Sequence, residues 1–287
     1  MILVADGGAT KTSWGLIKNE QEQLFFETEG YHPFYTQAEA IHQSLTASVT
    51  EDIAVVRRDI TTVFFYSAGG GYSTKTDQVL IEGVGNFFSN ARVVIETDLL
   101  GAARALLQRE AGLAAILGTG SNSCLYDGRT VVENIESLGF YLGDEGSGAY
   151  IGKKIIGDYV RNRMPKHIHA LFLYTYQLDA GSLLAKLYEA TAASQYCATF
   201  ALFAANNITD EYCTSIVLSA FDDFFRNIVQ HYSDAPRYSF NAIGSIAFYF
   251  RDLLWEVAAR YGFTTGNTLI SAIDGLIQFH LGQPFTH

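Results

Sequence analysis

The sequence predicts an α/β chain made of two related halves with a cleft between them. Three observations carry that expectation. Of 287 residues, 48% are apolar and only 17% charged, which excludes a disordered chain and leaves ample material for a core. Short β-type runs alternate with stretches of helical period. A pattern of strand, glycine turn, strand and strand opens the chain and starts again at Leu113.

Residues 2–5 are a continuous apolar run, the mark of a strand buried on both faces. Gly7-Gly8 turns the chain, Trp14 and Leu16 lie in a second strand, and residues 23–27 form a third. Ile41, Leu45, Val49 and Ile53 recur every four residues, one face of a helix. Residues 63–66 are a strand running into Gly69-Gly70-Gly71, and Val79, Val84, Phe87 and Phe88 suit a helix. Residues 92–96 are a strand and 98–108 a helix. This βββαβαβα order predicts helices covering a mostly parallel sheet.

The second half repeats the opening. Residues 113–117 are a strand, Gly118-Thr119-Gly120-Ser121 a turn and 123–126 a return strand. Asp127-Gly128 is a tight hairpin turn into Val131-Val132. Residues 143–160 read as one helix ended by Pro165. Helical periodicity continues to about residue 231. A strand at 239–243 then leads to Gly244-Ser245 and a helix carrying Ala247, Phe248, Leu254 and Val257. Residues 269–281 are a last helix or strand–helix. No linker or low-complexity tract divides the chain, so the expected boundary is a compact crossover near residues 109–113.

The formal net charge of −11 argues against a nucleic-acid partner, which calls for a basic surface. The N-terminal segment has no basic region before its apolar run, and no apolar stretch is long enough to span a membrane. The expected location is therefore the cytoplasm. Cys124, Cys197 and Cys213 form no CxxC pair and read as reduced, packed thiols. The 20 Phe and 17 Tyr read mainly as core, and the scattered His residues suggest no metal site.

Four segments carry chemistry. In Asp6-Gly7-Gly8-Ala9-Thr10-Lys11-Thr12, two glycines let backbone approach an anion, while the threonines and Lys11 add donors and a cation. It is no Walker A loop, and an ordinary hairpin turn explains it equally well alone. Gly118-Thr119-Gly120-Ser121-Asn122 repeats the same chemistry in the second half. Two such turns suit a polyphosphate gripped from both sides. Glu96-Thr97-Asp98 ends a strand and opens a helix, where either a helix cap or a catalytic carboxylate belongs. Residues 139–148 hold four glycines beside Asp144-Glu145, which fits a capped helix or a backbone-lined ligand loop.

In this order the segments resemble the sugar kinase/Hsp70/actin superfamily, and within it the N-acetylglucosamine kinase-like, BadF-type ATPase family. The resemblance runs through nearly the whole chain: D-G-G-x-T-K-T, residues 96–103, G-T-G-S-N, G-D-E-G-S-G and Gly244-Ser245-Ile246-Ala247. It implies two actin-like ATPase (ribonuclease H-like) domains, residues 1–110 rejoined by 270–287 and residues 111–269, with a nucleotide cleft between them. It also implies a Mg²⁺- and ATP-dependent kinase of amino sugar metabolism, and leaves a homodimer open. Asp98 would be the general base. Asp6, Gly7, Gly8, Thr10, Lys11, Gly118, Thr119, Gly120, Gly244 and Ser245 would bind ATP, with Asp6 orienting Mg²⁺ through water. Ser121, Asn122, Gly139 and Asp144 would bind sugar.

One position departs from the pattern. Related kinases carry G-x-N-P-F or an equivalent Asn after the third strand, and that Asn touches the sugar. Here the segment is Gly30-Tyr31-His32-Pro33-Phe34. A His hydrogen-bonds with a different shape and titrates near neutrality. N-acetylglucosamine, glucosamine and N-acetylmuramic acid all remain open. Two other functions fit the same family: a BadF-type coupled ATPase or activator, and a non-catalytic sugar or nucleotide sensor.

Overall fold

The computed structural model describes residues 1–8, 10–19 and 22–282. Ala9, within the first glycine turn, and residues 283–287, within the expected rejoining segment, lie outside the described residues. The chain folds as two compact units. One comprises Met1–Glu110, Asp127–Val131 and the C-terminal segment from Ser271; the other comprises Ala111–Tyr126 and Val132–Ile270.

The first unit opens with strands β1 (Ile2–Gly7), β2 (Lys11–Ile17) and β3 (Gln23–Glu29). Helices α1 (Ala38–Ser48) and α2 (Glu51–Val56) follow, then β4 (Thr62–Ser67), α3 (Thr74–Phe87), β5 (Arg92–Thr97) and α4 (Asp98–Leu107). The sheet order is β3-β2-β1-β4-β5. β1 pairs antiparallel with β2 and β2 with β3, while β1, β4 and β5 run parallel. The sheet is therefore mixed rather than mostly parallel, because short turns permit only antiparallel neighbours. The four-residue period over residues 41–53 also spans two helices. Val49 leaves helical backbone at ψ 128° and Thr50 at ψ 158°, as befits adjacent β-branched residues.

The second unit runs β6 (Ala111–Leu117), β7 (Ser121–Asp127) and β8 (Val131–Glu133), then α5 (Gly139–Leu142) and α6 (Gly148–Val160). Helices α7 (Lys166–Tyr176), α8 (Ala180–Glu189), α9 (Ala193–Thr199), α10 (Ala201–Asn206) and α11 (Glu211–Asn227) precede β9 (Ser239–Ile243). Helices α12 (Ser245–Tyr249) and α13 (Arg251–Arg260) lead to β10 (Thr264–Leu269). Its sheet order, β10-β9-β6-β7-β8, places β6, which opens the unit, at the centre, as β1 is placed in the first sheet. Both sheets thus set their opening strand in the middle of five.

Three boundaries differ from expectation. Residues 139–142 make the one-turn α5, so α6 starts at Gly148, where Ser147 caps Tyr150 N–H at 3.1 Å. α6 ends at Val160, two residues before left-handed Asn162 (φ 54°), and Pro165 is instead the N-cap residue of α7. Phe250 divides the helix expected after Gly244.

Each unit has its own core. In the first, Trp14 is fully buried, stacks on Phe26 at 5.4 Å, meets Phe65 edge-on at 5.3 Å and donates to Thr28 Oγ1 at 3.0 Å. The second is larger, with Phe172, Phe200, Phe203, Phe221, Phe224 and Phe225 all buried. Cys124, Cys197 and Cys213 are buried as well. Burial pushes their thiols up to about 12, 11 and 11. The C-terminal helix α14 (Ile273–Leu281) returns to the first unit and packs on β1, β2 and α4. The approach is close: a Cβ on Gly15 would lie 2.5 Å from Ile277, and one on Gly275 would lie 2.5 Å from the Ala105 carbonyl. Among the described residues no helix is long and apolar enough to cross a membrane.

Candidate active site

In the first unit the register sets Gly7, Ser67 and Thr97 level across the parallel strands. Their carboxyl ends form one edge, the usual place for ligands on such a sheet. Asp6, one residue before that level, points to the α14 side. Its Oδ2 accepts from the Ala272 N–H at 3.1 Å and the Ser271 hydroxyl at 3.4 Å. Burial nevertheless holds its carboxyl above the usual range, against those two bonds and the nearby Lys11 charge.

Asp98 is the first residue of α4, at the same edge. The cap is Thr97, whose hydroxyl accepts from Leu100 N–H at 3.1 Å. Asp98 is thereby relieved of that task, and its Oδ1 accepts from the adjacent Leu99 N–H at 2.9 Å. Burial above all, with the Asp6 charge adding to it, pushes its carboxyl up to about 6. Two neighbouring carboxyls with raised affinity for protons are a frequent signature of a working site.

The loops above this edge are glycine-built. Gly69 (φ 80°) sits against the His32 ring, where a Cβ would lie 3.1 Å from Cε1. Gly71 (φ 77°) sits against Thr97, where a Cβ would lie 2.9 Å from the backbone nitrogen. The glycine loop therefore bridges the segment of His32 and that of Asp98. Burial lowers the His32 pKa below that of an ordinary imidazole. Its Nδ1 is buried without a partner among the described residues.

On the first hairpin Gly8 is exposed, and its N–H donates to the Lys11 carbonyl at 2.9 Å. Thr10 is exposed beside it. The Lys11 ammonium pairs with Glu27 at 2.6 Å on the open surface of β2 and β3. Thr12 faces the other way, fully buried. Its hydroxyl is not presented at the surface of the turn, contrary to the expectation for this motif, because strand alternation places it on the core face with Trp14.

In the second unit the Gly118–Ser121 turn is held by three neighbours. Gly148 and Ala149 at the start of α6 donate to the Gly118 and Thr119 carbonyls at 2.8 and 3.0 Å. Ser121 N–H donates to Asp144 Oδ1 at 3.2 Å, and the Ser121 hydroxyl is buried without a partner among the described residues. A Cβ on Gly244 (φ 113°) would lie 2.4 Å from the Leu117 carbonyl, so this glycine seats the loop carrying exposed Ser245 against the turn. A Cβ on Gly118 would meet nothing within 4 Å. The turn thus presents bare backbone to open space, which suits a phosphate chain. Asn122 Oδ1 accepts from Ser123 N–H and Asn134 Nδ2, and Gly139 (φ 63°) starts α5.

The structure thus groups Asp6, Lys11 and Asp98 in the first unit, and residues 118–122, Asp144 and Gly244 in the second. Sequence reasoning did not single out Ser271, Ala272 or a role for the Gly69–Gly71 loop. The helix cap at Ala272 offers no Ser, Thr, Asp or Asn signal, and its N–H acts from a segment 266 residues away from Asp6. Among the described residues no three His, Cys, Asp or Glu side chains cluster as a metal cage. A carboxylate such as Asp6 acting through water needs no such cage.

No protein-family model matches the sequence, and no curated protein matches it. Solved structures do. A Porphyromonas gingivalis protein provisionally named an N-acetylglucosamine kinase is 37% identical over 98% of this chain and 99% of its own, with a TM-score of 0.91. A Chromobacterium violaceum protein given the same provisional name is 18% identical over 97% and 98%, with a TM-score of 0.70. A ROK family glucokinase from Streptomyces griseus, solved with glucose and AMPPNP, is 14% identical over 97% of each chain, with a TM-score of 0.53. The last two share the fold, that of actin-like ATPases and sugar kinases.

Proposed function

Because the chain belongs to the N-acetylglucosamine kinase-like, BadF-type ATPase family, we propose that it phosphorylates a sugar hydroxyl with ATP, the sugar being an amino sugar such as N-acetylglucosamine. In this reading the two compact units are its two actin-like ATPase domains. The observation that carries the proposal is Asp98: a carboxylate at a strand's carboxyl end, excused from capping by Thr97, with a pKa of about 6.

Asp98 accepts the proton of the attacking hydroxyl. A base with this pKa is mostly ionised at neutral pH yet still holds a proton usefully. The turn at Gly7-Gly8 with Thr10 and Lys11, and the turn at Gly118-Thr119-Gly120, bind the phosphates through backbone and hydroxyl donors. Gly244-Ser245 supports the nucleoside end. Asp6, fixed by Ala272 and Ser271, would hold a hydrated Mg²⁺ through water. When bound, that cation neutralises charge on the phosphates. His32, Ser121, Asn122, Gly139 and Asp144 orient the sugar. Positioning of this kind supplies most of the rate in phosphoryl transfer.

The BadF-type activator reading requires cysteine thiolates as cluster ligands. Burial of all three thiols, with their pKa values pushed far above neutrality, weighs against it. The deciding experiment is ADP release from Mg-ATP with N-acetylglucosamine, glucosamine, N-acetylmannosamine, N-acetylmuramic acid and glucose in turn. Stimulation by one sugar supports the kinase. Hydrolysis indifferent to sugar overturns it in favour of a coupled ATPase, and binding without turnover favours a sensor.

A further inference from the structure

Residues 138–146 carry four left-handed backbones: Leu138 (φ 58°), Gly139 (φ 63°), Asp144 (φ 60°) and Gly146 (φ 76°). Two of these are side-chain-bearing residues, for which that region is unfavourable. Such a segment keeps one shape only where its surroundings dictate it. On one side the Asp144 carboxylate accepts from Ser121 N–H, and the Asp144 N–H donates to Ser137 O at 2.9 Å. On the other side stands Lys153, in the second turn of α6. Its ammonium donates to the Phe140 carbonyl and, at 3.5 Å, to the Gly143 carbonyl. It also lies 4.8 Å from the Phe140 ring centre and 5.5 Å from that of Tyr150.

This is an expensive way to hold a loop. Lys153 is half-buried, and desolvation lowers its pKa against the favourable Asp144 charge. A purely apolar side chain would fill the space without that penalty. What it could not do is bind two carbonyls at the end of α5 while supporting the charge of Asp144. α6 is the right base for such a clamp, since its first two N–H groups already hold the Gly118-Thr119 turn.

We propose that Lys153 is a positioning residue for sugar recognition: its ammonium clamps α5 to α6 and so sets where Gly139 and Asp144 meet the sugar. The proposal rests on the sugar kinase reading above. Lys153 itself touches no reacting atom in it.

The test is Lys153→Cys followed by alkylation with 2-bromoethylamine, which restores an ammonium at nearly the original length. The native thiols are buried and poorly ionised, so the introduced thiol is the one that reacts; mass spectrometry verifies a single addition. The expected result is a sugar KM raised about tenfold or more in Lys153→Cys, the usual effect of losing a charge-assisted hydrogen bond. ATP KM and kcat at saturating sugar stay within about twofold, and alkylation restores the sugar KM. An unchanged sugar KM overturns the proposal. So does a parallel loss of kcat and of affinity for both substrates without rescue, which is the mark of a merely structural lysine. Lys153→Gln, read by the same KM-against-kcat split, serves if the cysteine variant does not fold. A wild-type protein inert toward every sugar overturns the kinase reading instead.

Discussion

Replacing Asp98 by Asn keeps the side chain's shape and its oxygen for the Leu99 N–H, and removes the charge. Two consequences can be worked out. The carboxyl is raised from 3.8 to about 6. At about 1.36 kcal/mol per unit, keeping it ionised in the folded protein costs about 3 kcal/mol above pH 6. Asp98 keeps a small share of its surface in contact with solvent, so screening trims this to about 2 kcal/mol. The sign follows from linkage. A carboxyl whose folded pKa is raised favours the native state when protonated, and that contribution fades as pH rises from about 4 through about 6. Asp98→Asn should therefore match wild type near pH 4 and exceed it at pH 7.5 by about 2 kcal/mol, or roughly 4 to 8 °C in Tm. The same change should lower kcat by about 10²- to 10⁴-fold, the usual worth of a general base, with ATP affinity retained. In wild type, activity should fall as pH drops below about 6, where Asp98 takes up its proton. Scanning calorimetry at both pH values and steady-state kinetics measure these effects. A variant with the wild-type dependence of Tm on pH would refute the burial argument, and near-normal kcat would remove Asp98 as the base.

Three further substitutions test the rest of the site. Gly244→Ala places a Cβ 2.4 Å from the Leu117 carbonyl at φ 113°, so it should cost about 2 kcal/mol or more and raise the ATP KM. An unchanged melting curve would contradict this. Gly8→Val crowds the Lys11 carbonyl, 3.3 Å from the new Cβ, and covers the turn. A fluorescent-nucleotide titration should show about tenfold weaker binding, and full affinity would show that the first turn is no phosphate cradle. His32→Asn should change the ranking of sugars while leaving the ATP KM alone, and an identical sugar profile would place His32 outside the pocket.

Much of this protein is written locally. The apolar run of β1, the glycine turns and the cap at Thr97 depend on residues a few positions apart, and periodicity and turn chemistry expose such features. The repeated strand–turn–strand pattern therefore announced two related halves, and the two five-stranded sheets, each with its opening strand at the centre, agree with it. Local signals were weaker where packing chose between nearly equal backbones. The break at Val49-Thr50 and the division at Phe250 each cost little, so the surrounding core decided them.

Asp98 shows the division within one residue. Its place at the end of a strand was legible, but the choice between cap and carboxylate acid–base group was not. Thr97 turns its hydroxyl to Leu100 and so takes the capping place, and burial sets how much water the Asp98 carboxyl loses; neither is written in local spacing. The holders of the site were hidden altogether. Ala272 reaches Asp6 because Gly15 and Gly275 let α14 pack closely against β2 and α4, and Lys153 reaches Phe140 because α5 turns back beside α6. Sequence alone determined which chemistries the chain carries, because residue type and local spacing suffice for that. Tertiary structure decided which carboxyls lose water and which backbone groups restrain them, because desolvation and hydrogen bonding depend on neighbours that the chain brings back from far away.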